Sequence, residues 1–447
     1  MFDQEWLKKR IESDRKLEEE SERYIVTFRE DVADTRSADV STLLKKHGGS
    51  YDVIHQFSRT NALAIKLKVG KRSLRSQQAF IKKLATDPRV ESIEKDKRMQ
   101  IMLDVSVPLI QAPKVWDDPE GNKGSGAVVA VVDTGVDQDH PDLKGRITKV
   151  KDFTGEGHFD GIGHATHVAG IIGGTGEASG GKYKGVAPEC TIISAKVLNS
   201  QGSGWMSDVI AGVEWSATNG AQIINMSLGS QGPCNGTDAI SRTCQKLAEE
   251  GVIMVIAAGN SGPDPGTVGS PGCARKVITV GASNDQDTIA WFSSRGPTLD
   301  GRVKPDICFP GFEIIAARAK NTEMGTVIDD NYTQASGTSM ATPHAAGVAA
   351  LLVAKESTLK CEDIKSLLCR HAKDMGLTVH TQGWGRGQAY ESFKSIGEPT
   401  IPVPETSNLW DKIKMFLRKL KPYITWGLLL TAMIFLSSGA GAGSILP

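Results

Sequence analysis

The chain has 447 residues, 39% hydrophobic and 23% charged, which describes about two to four folded domains rather than a disordered chain. Its 52 basic and 52 acidic side chains balance, which argues against a partner recognised by overall charge, nucleic acid above all. Glycine reaches 48 with no G-X-Y period, so many tight turns are expected and a collagen-like fibre is excluded; seven cysteines are too few for a disulfide scaffold, and the odd number leaves at least one unpaired within the chain.

In chain order, residues 1–22 read as a charged arm without the apolar run a secretory signal needs. Residues 23–103 carry an α+β pattern, with strands at Tyr24–Phe28, Ala62–Leu67 and Val90–Glu94 and helices at Ser37–His47 and Gln77–Leu84. Over 104–394, short apolar runs alternate with helical patterns. The runs are Ala127–Val132, Thr191–Leu198, Gln222–Leu228, Val252–Ala258, Val277–Val280 and Ile314–Ala317. The helical patterns are Thr166–Ile172, Ser207–Thr218, Asp238–Glu250, Thr338–Lys355 and Glu362–His371. Strands apolar on both faces that alternate with helices predict an α/β fold, a doubly wound and mostly parallel sheet with its site at the carboxyl ends of the strands.

Residues 395–410, rich in proline, read as a linker, 411–421 as a basic juxtamembrane segment, and 422–447 as a transmembrane anchor. Ile424–Leu446 holds 23 uncharged residues, where about 20 suffice to span a bilayer as a helix. Tyr423 and Trp426 suit the interface, and Lys412, Lys414, Arg418, Lys419 and Lys421 suit the anionic cytoplasmic face. The expectation is a single-pass cell-membrane protein with its globular part on the cytoplasmic side; the extracellular face is the alternative orientation, and a helix lying in the interface is the alternative structure.

Four polar residues fall at junctions of this pattern. Asp133 ends the first buried run in AVVAVVDTGVD and suits an orienting acid or a turn. His164, in GHATHVAG, stands at a helix start, as a base or as a packed structural histidine. A zinc pair with His167 lacks the Glu after the first His and a third ligand. Asn260, in VIAAGNSG, can donate its amide to an oxyanion or shape a turn. Ser339, in ASGTSMATPHAAGVAALL, opens a long apolar helix as a nucleophile or an N-cap. All four are expected on the same rim of one sheet, and the order Asp, His, Ser is the one found in subtilisin-type triads.

With VVDTGVDQDHPDL, GHATHVAG, NMSLG, AAGNSG and GTSMATPHAAGVAALL in family order, residues 104–394 resemble the subtilisin-like serine proteases, the subtilase or S8 family. Residues 23–103, from RYIVTF to VESIEKD, resemble the family's inhibitory propeptide. The resemblance implies peptide hydrolysis through an acyl-enzyme by Asp133, His164 and Ser339, with Asn260 in the oxyanion hole. It implies that Gly202, Ser203 and Gly204, and Ser227, Leu228 and Gly229, flank the bound peptide as extended edges. Gly269 then lies at the base of the S1 pocket beside Ser261, which favours a large apolar P1 residue. The implied partners are polypeptide substrates, the chain's own propeptide as an intramolecular inhibitor cut near Gln100–Asp104, and the bilayer, with no nucleic acid. No cofactor is required by the resemblance. The loop EASGGKYKGVAP differs from the calcium-binding loop of secreted bacterial subtilisins, so structural calcium is possible but not assignable, with Asn284–Asp287 an acidic loop able to take it. Ala165 stands where the family usually has Gly; if φ is positive there, Ala costs on the order of 1 kcal/mol. Cys361 and Cys369 are about 12 Å apart along one predicted helix, too far for a disulfide. Cys234 and Cys244 are the pair expected to close a loop under oxidising conditions.

Overall fold

The computed structural model describes residues 23–29, 44, 46, 51–57, 62–67, 74–95, 105–400 and 402–404. The arm at 1–22, most of the predicted helix Ser37–His47, the expected cut at Gln100–Asp104 and the anchor segment Ile424–Leu446 lie outside the described residues. Among the described residues no helix is long and apolar enough to cross a membrane. The chain divides into two compact units, Met1–Ile101 and Met102–Pro447.

The first unit is a four-stranded antiparallel sheet of β1 (Arg23–Phe28), β2 (Tyr51–Phe57), β3 (Ala62–Leu67) and β4 (Val90–Lys95), in the order β2-β3-β1-β4, with a helix at Leu74–Ala85. Alternate residues Val26 and Phe28, and Leu63, Ile65 and Leu67, point to one face and bury Phe80 and Leu84 of the helix. The sequence pattern overlooked β2: its YDVIHQF is an edge strand with Asp52 and Val53 exposed, so it has no continuous apolar run.

The second unit is built on seven strands in the order β11-β10-β9-β8-β5-β7-β6. These are β5 (Val128–Asp133), β6 (Ile147–Asp152), β7 (Thr191–Lys196), β8 (Ile223–Met226), β9 (Ile253–Ala257), β10 (Ile278–Ser283) and β11 (Ile307–Pro310). Every pairing in this sheet is parallel. Five of the six apolar runs supply β5, β7, β8, β9 and β10, and these are buried on both faces because helices cover both. The sixth, Ile314–Ala317, is β12 of a separate antiparallel sheet with β13 (Thr326–Val327) and β14 (Tyr332–Ala335), in the order β12-β14-β13. Burial on both faces does not say which sheet a strand joins. The edge strand β6, ITKVKD, escaped prediction because its lysines face water.

The helices His164–Gly173 and Thr338–Lys355 pack against each other, and the second also lies along β8 to β11. Part of the expected linker is docked on this unit: Ile396 and Val403 pack on its core, and Arg370 pairs with Glu398 at 2.7 Å.

The cysteine expectation needs correction. Cys234 is bonded to Cys273, and Cys244 is a free thiol inside the core, against Met226 Sδ at 3.7 Å. The apolar face of the helix Ala239–Glu249 carries Cys244 inward, away from the loop that holds Cys234. Cys361 and Cys369 are both free and buried.

Behind the sheet, Asp306 lies between Lys304 and Lys365, each 2.7 Å away, and all three are largely buried. Burial alone would push the Asp306 carboxyl up, but the two ammonium groups hold it below the usual carboxylate range. Removing its charge strands two buried cations. Asp306→Asn is therefore expected to lower unfolding free energy by about 3–5 kcal/mol in urea titration; a change below 1 kcal/mol on that scale would reject this role.

Candidate active site

Strand β5 lies between β8 and β7, where the strand order switches direction, and its last residue, Asp133, is fully buried there. The His164 ring packs over it, with Nδ1 at 2.7 Å from Asp133 Oδ1. A carboxylate only accepts, so Nδ1 carries the proton and Nε2 is left as the acceptor. The same Oδ1 accepts the Thr134 N–H at 2.8 Å. Burial works against the imidazolium, yet the Asp133 charge, its hydrogen bond and the Asp160 charge outweigh it, so the His164 pKa lies above its ordinary value.

Asp160, which the sequence reading passed over, organises this corner. Its Oδ1 accepts from Thr134 Oγ1 at 2.9 Å and from Gly163 N–H at 2.8 Å; its Oδ2 accepts from Thr166 N–H and Oγ1 at 2.9 and 2.7 Å. Thr134 Oγ1 in turn accepts the Ala165 N–H at 3.0 Å. A buried carboxylate thus caps the helix that begins at His164, whose own N-cap, Gly163, has no side chain to do so. Gly163 has φ +93°, and a Cβ there would meet Thr322 Oγ1 at 2.6 Å, so glycine is required. Ala165 is not among the residues with positive φ; it is an ordinary buried helical residue, and the expected strain does not arise. The local signal for Asp160 was an acid just ahead of a glycine-led helix start, in DGIGHAT.

His167 is structural. Its Nε2 faces the carbonyl oxygens of Ile314 and Thr333, each at 3.1 Å, and burial followed by the neighbouring His164 takes its pKa down to about 3.

Ser339 is the second residue of the helix Thr338–Lys355. Its Oγ donates to the Ser227 carbonyl at 2.9 Å, while Ser227 Oγ donates back to the Ser339 carbonyl at 2.9 Å. Asn260 follows β9. Its Oδ1 accepts both the N–H and the hydroxyl of Thr338, each at 2.9 Å. That fixes the amide so that Nδ2 points away from Thr338, with no acceptor among the described residues.

Two depressions meet along Ser227–Ser230. One, about 700 Å³, is lined by His164, Gly202, Ser203, Gly204, Leu228 and Gly229 among others. The other, about 220 Å³, is lined by Asn260, Ser261, Gly269 and Ser339 with the same shared wall, and carries no charged side chain. A Cβ on Gly269 would lie 2.0 Å from Ser230 O, so only glycine allows that wall to close. All the predicted site residues therefore gather at one rim, Asp133 beneath His164 and the rest around the two depressions.

In the acidic loop Asn284–Asp287 the side-chain oxygens of Asn284 and Asp287 are already engaged. Asp287 pairs with Arg386, and with Lys373 at 2.6 Å, and Asn284 Oδ1 accepts the N–H groups of Gln286 and Thr288. Outside the loop that follows Gly176, buried Asp142 accepts that loop's Ala178 N–H at 2.9 Å and the Tyr332 O–H at 2.7 Å. Among the described residues no three His, Cys, Asp or Glu side chains form a cation cluster.

The Subtilase family profile matches residues 124–385. Serine protease AprX of Bacillus subtilis (strain 168) is 39% identical over 62% of this chain and 68% of its own length. Subtilisin E of Bacillus subtilis (strain 168) is 34% identical over 82% of this chain and 88% of its own length. The crystal structure of a cold-adapted subtilisin-like serine proteinase superposes with a TM-score of 0.50 at 34% identity, covering 60% of this chain and 90% of that one. The fold and the site define a serine hydrolase of the α/β class. The chain belongs to the subtilase family of serine endopeptidases.

Since the carboxylates of Asp142 and Asp287 are satisfied by side chains and backbone, chelation with EDTA is expected to leave Tm unchanged. Tyr332→Phe, which strips a donor from buried Asp142, is expected to cost about 1–3 kcal/mol. A Tm that falls on chelation and returns with calcium would overturn this assignment.

Proposed function

We propose that the protein cleaves peptide bonds with Ser339 as nucleophile, His164 as general base and acid, and Asp133 as the residue that orients and stabilises the imidazole. The observation that carries the reading is the 2.7 Å bond from His164 Nδ1 to buried Asp133, which leaves Nε2 free to take a proton. Substrate binding has to release the Ser339 hydroxyl from the Ser227 carbonyl and turn its proton to Nε2. As Oγ bonds to the scissile carbonyl carbon, His164 takes that proton and then passes it to the departing amine; a water repeats the sequence on the acyl-enzyme. The oxyanion is met by Asn260 Nδ2 and the Ser339 N–H at the helix start, donors already oriented before charge develops. The peptide lies along Gly202–Gly204 and Ser227–Gly229 as an added strand, and a large apolar P1 side chain enters the uncharged cavity beside Gly269.

Ser339→Ala is expected to abolish turnover and labelling by a fluorophosphonate while leaving Tm in place. Asn260→Ala should lower kcat about 10²–10³-fold with KM little changed. Because His164 works as a neutral base and its pKa is raised, kcat/KM should decline as pH drops through a value above its ordinary 6.5. The same shift has the opposite sign for stability: the imidazolium–Asp133 pair stabilises fully below the unfolded pKa and is lost as pH rises through the folded one. Normal turnover by Ser339→Ala would sink the assignment.

Residues 23–103 act in this reading as an inhibitory propeptide removed near Gln100–Asp104. The subtilisin E match supports it, because 82% of the chain is more than the second unit alone contains. Residues 422–447 anchor the protein in the cell membrane, with the catalytic unit on the cytoplasmic side, as the uncharged Ile424–Leu446 and the five basic residues before it suggest. Intact-mass analysis of the membrane fraction should find a chain beginning near residue 104 that resists alkaline carbonate extraction. Release into the supernatant would exclude the anchor, and digestion of the catalytic unit from outside intact cells would reverse its side.

A further inference from the structure

The smaller cavity is walled by Ser227–Gln231 and floored by Thr267, Gly269 and Ser270. Neither segment belongs to a helix or a strand, and the two approach backbone to backbone. Ser230 N–H donates to Ser270 O at 2.8 Å, and a Cβ on Gly229 would lie 2.7 Å from that same oxygen. Just beyond this contact the wall segment reaches Cys234 and the floor segment reaches Cys273. The disulfide between them joins Cα atoms 6.0 Å apart across a sequence separation of 39 residues.

The chain from Gln231 to Thr237 runs over the surface, with Gln231, Pro233, Asn235 and Thr237 exposed, before Asp238 caps the next helix. Arg302 follows the same seam: Nη2 donates to Asn235 O and Nη1 to Cys273 O, each at 2.9 Å. The covalent link is thus placed where the wall of the cavity leaves its floor, at the least regular part of the site.

The two cysteines differ in burial. Cys234 is half-buried, whereas Cys273 is fully buried, and so are the free thiols Cys190, Cys244, Cys308, Cys361 and Cys369. Burial pushes Cys190 and Cys244 up to about 12 and Cys361 up to about 11, so none of these three competes as a thiolate near neutral pH.

We propose that the Cys234–Cys273 disulfide is a reducible clamp on the S1 cavity. Oxidised, it holds wall to floor at the spacing a large apolar P1 side chain needs; reduced, it lets Gln231–Thr237 relax and removes that preference. The proposal rests on the S1 reading above. The step is a two-electron exchange with a dithiol. One reductant thiolate bonds to Sγ of Cys234, the less buried of the two residues, as Cys273 leaves and takes up a proton. The second reductant thiol then closes on the first, releasing Cys234 as a thiol and leaving the reductant as a cyclic disulfide. On the proposed cytoplasmic side the bond faces thiol reductants, where disulfides act as transient or sensing elements.

The test uses the intact protein, oxidised or treated with dithiothreitol, on matched peptides with Phe or Ala at P1. A fluorophosphonate counts active sites, and iodoacetamide under native conditions reports reduction by labelling Cys234. Reduction should lower kcat/KM for Phe about tenfold and for Ala less than about twofold, a discrimination of the size a reshaped apolar pocket produces. Reoxidation with diamide should restore both. Cys234→Ser should reproduce the reduced ratio and no longer respond to the dithiol. An unchanged Phe-to-Ala ratio with Cys234 alkylated would overturn the clamp, as would an equal loss on both substrates. An oxidised enzyme that labels fully but does not prefer Phe over Ala would instead refute the apolar S1 reading beneath it.

Discussion

The carboxylate of Asp160 holds the end of β5 to the start of the helix His164–Gly173, and the geometry of the rim depends on that tie. It accepts from Thr134, the residue next to Asp133, and from Gly163 and Thr166, on either side of His164. A parallel sheet delivers its strand ends to one edge but does not set the angle at which a separate helix arrives. Here one buried charge sets it, through hydrogen bonds to both partners. The 2.7 Å approach of imidazole to Asp133 is the result.

The same device recurs. Asp142, Asp160 and Asp306 are all buried, and each is met by named donors: Tyr332 and Ala178, Thr134 and Thr166, Lys304 and Lys365. A buried carboxylate without partners would be neutralised by a large pKa shift. With donors on both oxygens it becomes a rigid joint between segments distant in sequence, such as 142 with 332 and 306 with 365. At Asp306 two ammonium groups neutralise the carboxylate as a bound cation would, whereas at Asp142 and Asp160 neutral hydroxyl and N–H donors hold both oxygens and fasten the segments.

On the other side of the rim the joints are neutral hydrogen bonds between short side chains and backbone. Ser227 and Ser339 exchange reciprocal hydrogen bonds, Asn260 is fixed by Thr338, and the wall at Ser230 lies on the floor at Ser270. These contacts hold wall against floor, and Gly269 marks where no side chain fits between them. The His164 side of the cleft is held by charge and the Ser339 side by close packing. Each responds to a different perturbation: the first to pH, the second to whatever lets the wall segment move.

Much was legible in advance. The buried runs that became β5, β7, β8, β9 and β10 are apolar on both faces, and that pattern has few solutions other than a covered parallel sheet. Helix Thr338–Lys355 was readable to the residue, and the motifs brought Asp133, His164, Asn260 and Ser339 together by order alone. The polar edge strands β2 and β6 were not readable, because an edge needs no apolar run, and β12 was assigned to the wrong sheet because burial does not name a partner. The disulfide partner of Cys234 was missed for a related reason: spacing favours Cys244, but the helix face turns that thiol inward and leaves Cys273 alongside. The sequence by itself determined the fold class and the identity of the chemical groups, since those follow from periodicity and residue type. Only the tertiary structure decided which carboxylate aligns the helix, which sulfur meets which and how Asn260 turns its amide, because these depend on distances between segments that local pattern does not encode.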